Sequence, residues 1–146
     1  MVEVQLFASG EGRLLALALV LRGAVFVDEQ GVPVELEFDD HDLQPQTLHA
    51  LGWVDGQPVG AGRLVPAGAA LGKVGRMAVL PGWRGRGVGR ALLTALLAAA
   101  REQGLQTVRL DAQTHAIDFY RKAGFAIVAA EFLDAGIPHV TMCRRL

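Results

Sequence analysis

The stretch from residue 74 to residue 90 constrains the fold of this chain more than any other part of the sequence. An apolar segment is followed there by Pro81-Gly82 and by a turn rich in glycine and arginine. Apolar residues then recur at helical spacing from Val88 to Ala99. This order predicts a buried strand that leads through a glycine turn directly into a helix. Because such a helix buries its apolar face on the sheet, the chain is predicted to be an α/β protein.

The remaining elements are short and follow one another without a repeat or a low-complexity linker. Strands are predicted at residues 2–7, 47–54, 58–65, 73–80, 107–111, 125–132 and 139–145. Helices are predicted at residues 12–26, 87–103 and 114–123, with a loop and a short or broken helix over residues 27–43. An Asp55-Gly56 hairpin turn joins two strands of the first, meandering half. We expect one mixed α/β sheet in a single domain that spans residues 1–146.

Composition excludes several classes of protein. With 146 residues, 51% of them hydrophobic, the chain can bury a core without a disulfide or a metal. Its formal net charge of −1 does not favour nucleic acid as a partner. The apolar run at residues 14–21 is too short to span a bilayer, so we expect no membrane partner and a cytoplasmic protein. A homodimer is compatible with the sequence.

No residue pattern indicates a metal site. The four histidines lack i,i+4 spacing, and no Cys-x-x-Cys is present. The single cysteine, Cys143, is expected to be a buried thiol rather than a nucleophile. We therefore expect no metal cofactor.

Charged residues are divided unevenly along the chain. Residues 23–62 contain eight acids and no Lys or Arg, whereas residues 63–109 contain eight bases and one acid, Glu102. A domain divided in this way can hold an anion on one side and a cation on the other. The alternative is that the two groups form solvated faces of different sign.

The glycine turn has the features of an anion site. Ligands can approach the backbone amides at the helix start closely, because three positions lack a side chain: Gly85, Gly87 and Gly89. Charge-assisted donors are available from Arg84, Arg86 and Arg90. The spacing matches neither a Rossmann fingerprint nor a Walker A loop. We predict a phosphate site of another kind, with an arginine-rich solvated turn as the alternative.

Two motifs in register resemble those of the GNAT superfamily of acyl-CoA N-acyltransferases. The run from Arg84 to Gly89 matches the family's pyrophosphate signature, Arg/Gln-x-x-Gly-x-Gly/Ala, at every position. The run from Phe119 to Phe125 matches its aromatic-Tyr-x-x-x-Gly-Phe element. Residues 25–33 and 136–139 also look like those of a small bacterial subgroup. The resemblance implies a mostly antiparallel sheet with a splayed parallel strand pair and flanking helices.

The resemblance also implies which residues bind acetyl-CoA. The acyl-pantetheine arm would pair with the backbone of the strand before the turn, where an amide near Val79 would polarise the thioester carbonyl. The turn amides would hold the pyrophosphate, and Gln113 stands where the family often has an asparagine that contacts the arm. The predicted cosubstrate-binding residues are Met77, Ala78, Val79, Arg84, Gly85, Arg86, Gly87, Val88, Gly89, Arg90 and Gln113.

Tyr120 is the predicted general acid. Attack of an amine on a thioester expels a thiolate, which needs a proton, and a phenol with a pKa of about 10 is suited to supply it. The alternative is that the ring of Tyr120 only packs against the cosubstrate.

The acceptor side has no motif of equal strength. The general base is open among Glu29, Asp39, Asp42, Asp111 and His139. We expect the acceptor to contact Glu29, Asp39 and His139. Residues 28–42 contain seven acids and no base, so this segment is predicted to border the pocket for a cationic amine. Alternatively, these acids only solvate a loop.

Together these residues predict an N-acetyltransferase. It would move an acetyl group from acetyl-CoA to a primary amine, on a small molecule or a peptide, by direct attack in a ternary complex. The alternative is a non-catalytic acyl-CoA-binding module or sensor with the same fold. Tyr120 favours the enzyme, whereas the lack of an obvious base favours the module.

Overall fold

A mixed sheet of eight strands organises the protein in a computed structural model that describes all 146 residues. The strands are β1 (Glu3–Ala8), β2 (Leu48–Val54), β3 (Gln57–Gly68), β4 (Leu71–Val79), β5 (Thr107–Gln113), β6 (Ala126–Ile127), β7 (Phe132–Asp134) and β8 (Ile137–Arg145). Their spatial order is β1-β2-β3-β4-β5-β8-β6, and β7 pairs with the first residues of β8. All neighbours are antiparallel except β4 and β5, which are parallel.

Four α-helices accompany the sheet: α1 (Gly12–Arg22), α2 (Val34–Glu37), α3 (Val88–Glu102) and α4 (Ile117–Lys122). α1 continues as π-helical turns over Gly23–Glu29, and 3-10 turns lie at Asp40–Leu43, Pro81–Trp83 and Thr114–Ala116. None of these helices combines the length and the apolar character needed to cross a membrane.

The parallel pair diverges after a short contact. β4 pairs with β5 only from Leu71 to Lys73, opposite Thr107 to Arg109. Beyond that point the two strands continue without a ladder between them. This confirms the predicted fold, a mostly antiparallel sheet with one splayed parallel pair.

Two helices cover the two faces of the sheet. α3 packs on one face against Ala50, Leu64 and Val74, and α1 packs on the other face. Glycines in the central strands bring α3 close, since a Cβ at Gly60 would lie 2.7 Å from Val88 Cγ1. The sheet is therefore the middle layer of three, and its splayed strands lie between the helices.

The first helix differs from the prediction of one helix over residues 12–26. The chain widens into π-helical turns after Arg22, and the Gln30 amide donates to the Val25 carbonyl five residues earlier, at 3.1 Å. Apolar spacing over so short a segment does not distinguish a π-turn from an α-turn. The wider turns place Val25, Phe26 and Glu29 at the cavity described below.

The C-terminal region also differs, because the strand predicted at residues 125–132 is two strands. β6 and β7 pair with opposite ends of β8, Ala126 with Cys143 and Phe132 with His139. Residues 129–131 leave the ladder between them and are exposed. Two of these three residues are alanines, so little apolar surface holds them to the sheet.

The predicted Asp55-Gly56 hairpin turn between β2 and β3 is confirmed, and the two residues have φ values of 50° and 78°.

Candidate active site

The gap between the diverging strands opens into a cavity of about 1200 Å³. Its walls come from the second half of β4, the glycine turn, the start of α3, α4, and the π-helical turns after α1. Most of the predicted cosubstrate-binding residues line it: Met77, Ala78, Val79, Arg84, Gly85, Gly87, Val88, Gly89, Arg90 and Gln113. The splay therefore brings together residues that lie far apart in the sequence.

Backbone groups of β4 face this gap at alternate residues. The Leu80 amide donates to Val59 at 2.9 Å, and the same register pairs Val79 with Gly60 and Ala78 with Ala61. In an antiparallel ladder the bonded pairs alternate, so Ala78 bonds to β3 while Val79 and Met77 point their amides the other way. Since β5 pairs with β4 only as far as Lys73, no strand of this sheet takes the amides of Met77 and Val79.

A β-bulge at Arg76 precedes these residues. Arg63 pairs with Gly75 and Ala61 with Ala78, so two residues of β4 oppose one of β3. Arg76 has a left-handed φ of 52°, which is unusual for a residue with a side chain. The bulge turns the rest of β4 away from β5 and directs the Arg76 side chain toward α2, where it donates to the Glu37 carbonyl at 3.0 Å.

The glycine turn is open where a phosphate would have to approach. Gly85 and Gly87 have φ values of 74° and 83°, and a Cβ at either position would meet nothing within 4 Å. Gly87 is the N-cap of α3, so the free amides of the first helical turn lie beside it. Gly89 differs, because a Cβ there would lie 3.3 Å from Phe119 Cζ. These features fit the pyrophosphate of an acyl-CoA cosubstrate.

The three arginines of the turn have different surroundings. Arg90 lines the cavity, whereas Arg86 lies outside its wall and holds its guanidinium carbon 5.1 Å from the centre of the Trp83 ring. Arg84 makes a bidentate ion pair with Glu29, with both N–O distances at 2.7 Å, and its Nε donates to the Val79 carbonyl at 2.9 Å. Hydrogen bonds from Arg84 lower the pKa of Glu29, which therefore stays ionised.

Tyr120 lies in the wall of the cavity on α4. Its side chain is 8% exposed and packs edge-on against Phe119 and Phe125. Burial raises the pKa of the phenol to about 12. The hydroxyl therefore carries its proton throughout the physiological pH range.

Two polar residues of β5 and β8 lie opposite each other at the far end of the splay. Gln113 donates to Gln30 at 2.9 Å and contacts the His115 ring at 2.7 Å. His139, its partner across the β5–β8 ladder, lines the cavity, and its Nδ1 is 2.7 Å from the Ile137 carbonyl. A proton on Nδ1 satisfies that contact and leaves Nε2 as an acceptor.

Most of the predicted acidic segment is compensated by arginines. Asp42 binds Arg22 at 2.6 Å and Arg63 at 2.8 Å, and Asp39 binds Arg63 at 2.7 Å and Arg76 at 3.1 Å. Ion pairs engage four of the seven acids, Glu29, Glu37, Asp39 and Asp42. Part of the segment lines the cavity, and arginines from α1, β3 and β4 reduce its negative charge, which the sequence analysis had treated as uncompensated.

Asp39 lies outside the cavity wall. Its two oxygens accept hydrogen bonds from Arg63 and Arg76. Burial alone would raise its pKa, but the hydrogen bonds and charge of Arg63 and the charge of Arg76 outweigh burial and lower the pKa to about 2. Asp39 thus anchors two arginines beside the cavity rather than facing an acceptor.

Glu37 is the residue that sequence analysis missed. It lines the cavity and is 3% exposed, and burial raises its pKa to about 7 against the lowering effect of Arg22, Arg76 and Arg63. The neighbouring sequence does not distinguish Glu37 from Glu35, which is exposed on the same helical turn. Its surroundings are built by Arg22 and Arg76, 15 and 39 residues away in sequence.

Asp111 lies deeper in the splay. It pairs with Lys73 at 3.1 Å and accepts a hydrogen bond from Thr141 at 2.8 Å. Burial raises its pKa, but these two partners outweigh burial and lower the pKa overall.

The single cysteine, Cys143 on β8, is half-buried. No group of three or more acidic, histidine or cysteine side chains is arranged to hold a metal ion.

Comparisons with known proteins agree with this geometry. The model of the family described as "Acetyltransferase (GNAT) domain" matches residues 23–146. The uncharacterized N-acetyltransferase YjcF of Bacillus subtilis is 41% identical over 128 residues, which cover 87% of this chain and 89% of that protein.

Solved structures are similar over nearly the whole length. The crystal structure of ElaA from Escherichia coli has a TM-score of 0.89 at 32% identity, with 99% of both chains covered. An acyl-CoA N-acyltransferase from Pseudomonas aeruginosa has a TM-score of 0.87 at 32% identity, again with 99% of both chains covered. With a family match over most of its length and such relatives on the same fold, this chain belongs to the GNAT acetyltransferase family, as an acyl-CoA N-acyltransferase.

Proposed function

We propose that the protein transfers an acetyl group from acetyl-CoA to a primary amine, by direct attack in a ternary complex. One observation carries the proposal. A single cavity joins the free amides of Met77 and Val79 with the open glycine turn at one end and with Tyr120 in its wall. A thioester lying along β4 would then have a phosphate site, backbone partners and a proton donor within one cleft.

The backbone of this chain would position the cosubstrate. The amides from Gly85 to Arg90 would take the pyrophosphate, with the side chain of Arg90 adjacent. The amides of Met77 and Val79 would pair with the pantetheine arm, and the one near the thioester would polarise its carbonyl. Acetyl-CoA would supply the activated acyl group.

Tyr120 would assist departure of the thiolate. Its phenol remains protonated because its pKa is raised to about 12. That pKa lies above the value of about 8.5 typical of a thiol. A hydrogen bond from the phenol to the sulfur, strengthening as charge develops, therefore suits this group better than an early proton transfer.

The acceptor would enter beside His139 and the π-helical turns after α1. The wall of the cavity on this acceptor side is apolar and contains Val25, Phe26, Val32 and Leu36. Nε2 of His139 would accept a hydrogen bond from the amine or from a neighbouring group of the acceptor. The ion pair of Glu29 with Arg84 would hold the π-helical turns beside the glycine turn, so that both substrates share one cleft.

Release of free thiol from acetyl-CoA tests the proposal. The protein is incubated with acetyl-CoA and an amine panel that contains a polyamine, an aminoglycoside, amino acids and lysine peptides, and an amine-free reaction corrects for hydrolysis. We expect amine-dependent thiol release and an acetylated product identified by mass. Acetyl-CoA binding without thiol release on any amine would instead favour a non-catalytic acyl-CoA module, and absence of binding would refute the phosphate assignment.

A further inference from the structure

The cavity contains a carboxyl group that none of the assignments above uses, that of Glu37. We propose that Glu37 receives the ammonium group of the acceptor and removes the proton that must leave before the amine can attack. This inference rests on the proposed function, since it needs an amine acceptor.

The position of Glu37 fits the role. Glu37 ends α2 at the cavity, beside Leu36 and facing the bulge of β4. Its Oε1 is 3.2 Å from Arg76 Nε, and Arg76 immediately precedes Met77, whose amide faces the gap. A group held there lies next to the strand along which the thioester would bind.

Glu37 also retains hydrogen-bonding capacity that its neighbours have lost. Its Oε2 is buried and has no hydrogen-bond partner, and Nη2 of Arg22 is 3.8 Å from that oxygen. Arg22 and Arg76 instead donate to the backbone carbonyl of Glu37, both at 3.0 Å. A buried carboxyl oxygen without a donor is costly, so an incoming N–H group would be a favourable partner.

The four carboxylates named above as candidate bases are occupied, and His139 is the other candidate, with Nε2 as an acceptor. Asp39 and Asp42 accept hydrogen bonds from arginines on both oxygens. Glu29 is engaged by both terminal nitrogens of Arg84, and Asp111 by Lys73 and Thr141. Glu37 is the acid of the cavity wall with a buried oxygen that lacks a partner, whereas Asp134, which also lines the cavity, is exposed to solvent.

The charges that face Glu37 set its proton affinity near neutrality. Arg22 on α1, Arg63 on β3 and Arg76 on β4 lower its pKa, whereas burial and the negative charge of Asp42 raise it. The net result is a pKa of about 7. A base poised there can accept a proton at physiological pH and return it to solvent.

The proton balance closes with Glu37 as the first acceptor. The ammonium gives one proton to the Glu37 carboxylate, directly or through one water, and the nitrogen lone pair attacks the thioester carbon. When the tetrahedral intermediate collapses, the C–S bond breaks and the sulfur takes a proton by way of Tyr120. The nitrogen loses its second proton, Tyr120 is reprotonated, and one proton in total goes to solvent.

The variant Glu37→Gln tests this role, with Glu35→Gln as the matched control on the exposed side of the same turn. Two probes are used, an alkylamine with a pKa of about 10 and an α-amino amide with a pKa of about 8. At pH 7 we expect kcat/KM for the alkylamine to fall roughly 10²-fold in Glu37→Gln and to be unchanged in Glu35→Gln. The loss should shrink for the α-amino probe and as the pH approaches the pKa of each amine, because the variant can use only the neutral amine.

Several outcomes would overturn the inference. A loss in Glu37→Gln that is equal for both amines and at every pH would show a merely structural role, and an unchanged kcat/KM would show none. If Glu37→Gln does not fold, the wild-type protein and His139→Asn carry the test. In the wild-type protein, kcat/KM must then fall as the pH drops below about 7, and the same fall must persist in His139→Asn. If the wild-type protein lacks this fall, or if His139→Asn loses it, Glu37 is not the base. If the wild-type protein acetylates no amine, the proposed function has failed rather than the assignment of Glu37.

Discussion

At the scale of single residues, local motifs and long-range contacts behave differently. The positions of the glycine turn and of Tyr120 beside the cavity are predictable from sequence, because each lies in a short motif of neighbouring residues, whereas their roles stay predictions. The position of Glu37 is not predictable, since its burial and its unpaired oxygen depend on Arg22 and Arg76, which other elements bring to it. The ion pairs that compensate the charges of Asp39 and Asp42 could not be predicted for the same reason, since their arginines lie on other elements.

Removal of one oxygen from Tyr120 should separate chemistry from binding. We expect Tyr120→Phe to bind acetyl-CoA with wild-type affinity, because the ring still packs against Phe119 and Phe125. Its kcat should fall roughly 10²-fold, since the leaving sulfur loses its proton donor. Steady-state kinetics and calorimetric titration measure the two effects. An unchanged kcat, with chemistry shown to be rate-limiting, would exclude Tyr120 from the mechanism.

A methyl group at Gly87 should hinder phosphate binding. Gly87 and Gly104 have similar left-handed φ values, 83° and 78°, and a Cβ at either position meets no atom within 4 Å. Alanine at either site therefore carries a similar backbone strain of about 1–2 kcal/mol. We expect Gly87→Ala to weaken acetyl-CoA binding by roughly tenfold or more and Gly104→Ala to leave it unchanged. Equal acetyl-CoA affinities in the two variants would contradict a phosphate site at the turn.

At the scale of elements, glycines in the central strands determine how closely α3 approaches the sheet. Sequence patterns located nearly all of the strands and helices, because apolar periodicity reports which face of each element is buried. The exceptions are the π-helical turns after α1 and the division of the predicted strand 125–132 into β6 and β7. Both depend on contacts with distant elements rather than on local propensity.

The approach of α3 can be tested with two alanine substitutions. A Cβ at Gly60 would lie 2.7 Å from Val88 Cγ1 and 2.9 Å from Leu92 Cδ1, whereas one at Gly52 would lie 3.3 Å from the same Val88 atom. We expect Gly60→Ala to lower the free energy of unfolding by about 1–3 kcal/mol, because α3 or β3 must shift. Gly52→Ala should cost less. Urea unfolding measures both, and equal losses would argue against steric control of this packing by Gly60.

At the scale of the whole molecule, opposite charges meet at the cavity instead of forming two separate faces. Residues 23–62 have an excess of acids and residues 63–109 an excess of bases, yet Arg63 and Arg76 of the basic part form ion pairs with Glu37, Asp39 and Asp42 of the acidic one. Charge counts along a chain do not reveal such pairing, because it depends on tertiary structure. In the turn, Arg86 and Arg90 have no ion pair, so the prediction that they attract an anion stays open to test.

The buried Glu37 gives a specific pH dependence of stability. Its pKa is about 7 in the folded protein, whereas the ordinary pKa of a glutamate carboxyl group is 4.5, so between these values the folded state holds a proton that the unfolded state has lost. Stability should therefore fall as the pH rises from 5 to 8, by up to about 3 kcal/mol. Glu37→Gln should remove this decline. Urea unfolding across that pH range tests it, and a parallel decline in the variant would assign the effect to other groups.

Asp39 should act in the opposite direction at lower pH. Its pKa of about 2 in the folded state lies below the ordinary value of 3.8 for an aspartate, so the stability that it contributes is lost as the pH falls from about 4 to about 2. The two acids together place the greatest stability contributed by this network between about pH 4 and pH 5.

The three-residue pairing of β4 with β5 means that the sheet has an edge in its interior. Exposed edges normally invite another chain to add a strand, which is a route to aggregation. Here β5 and β8 continue the sheet beyond the gap, so this edge of β4 lines the cavity instead of forming an outer edge of the sheet. In our proposal the pantetheine arm pairs with this edge, and a small molecule completes the sheet for the duration of each turnover.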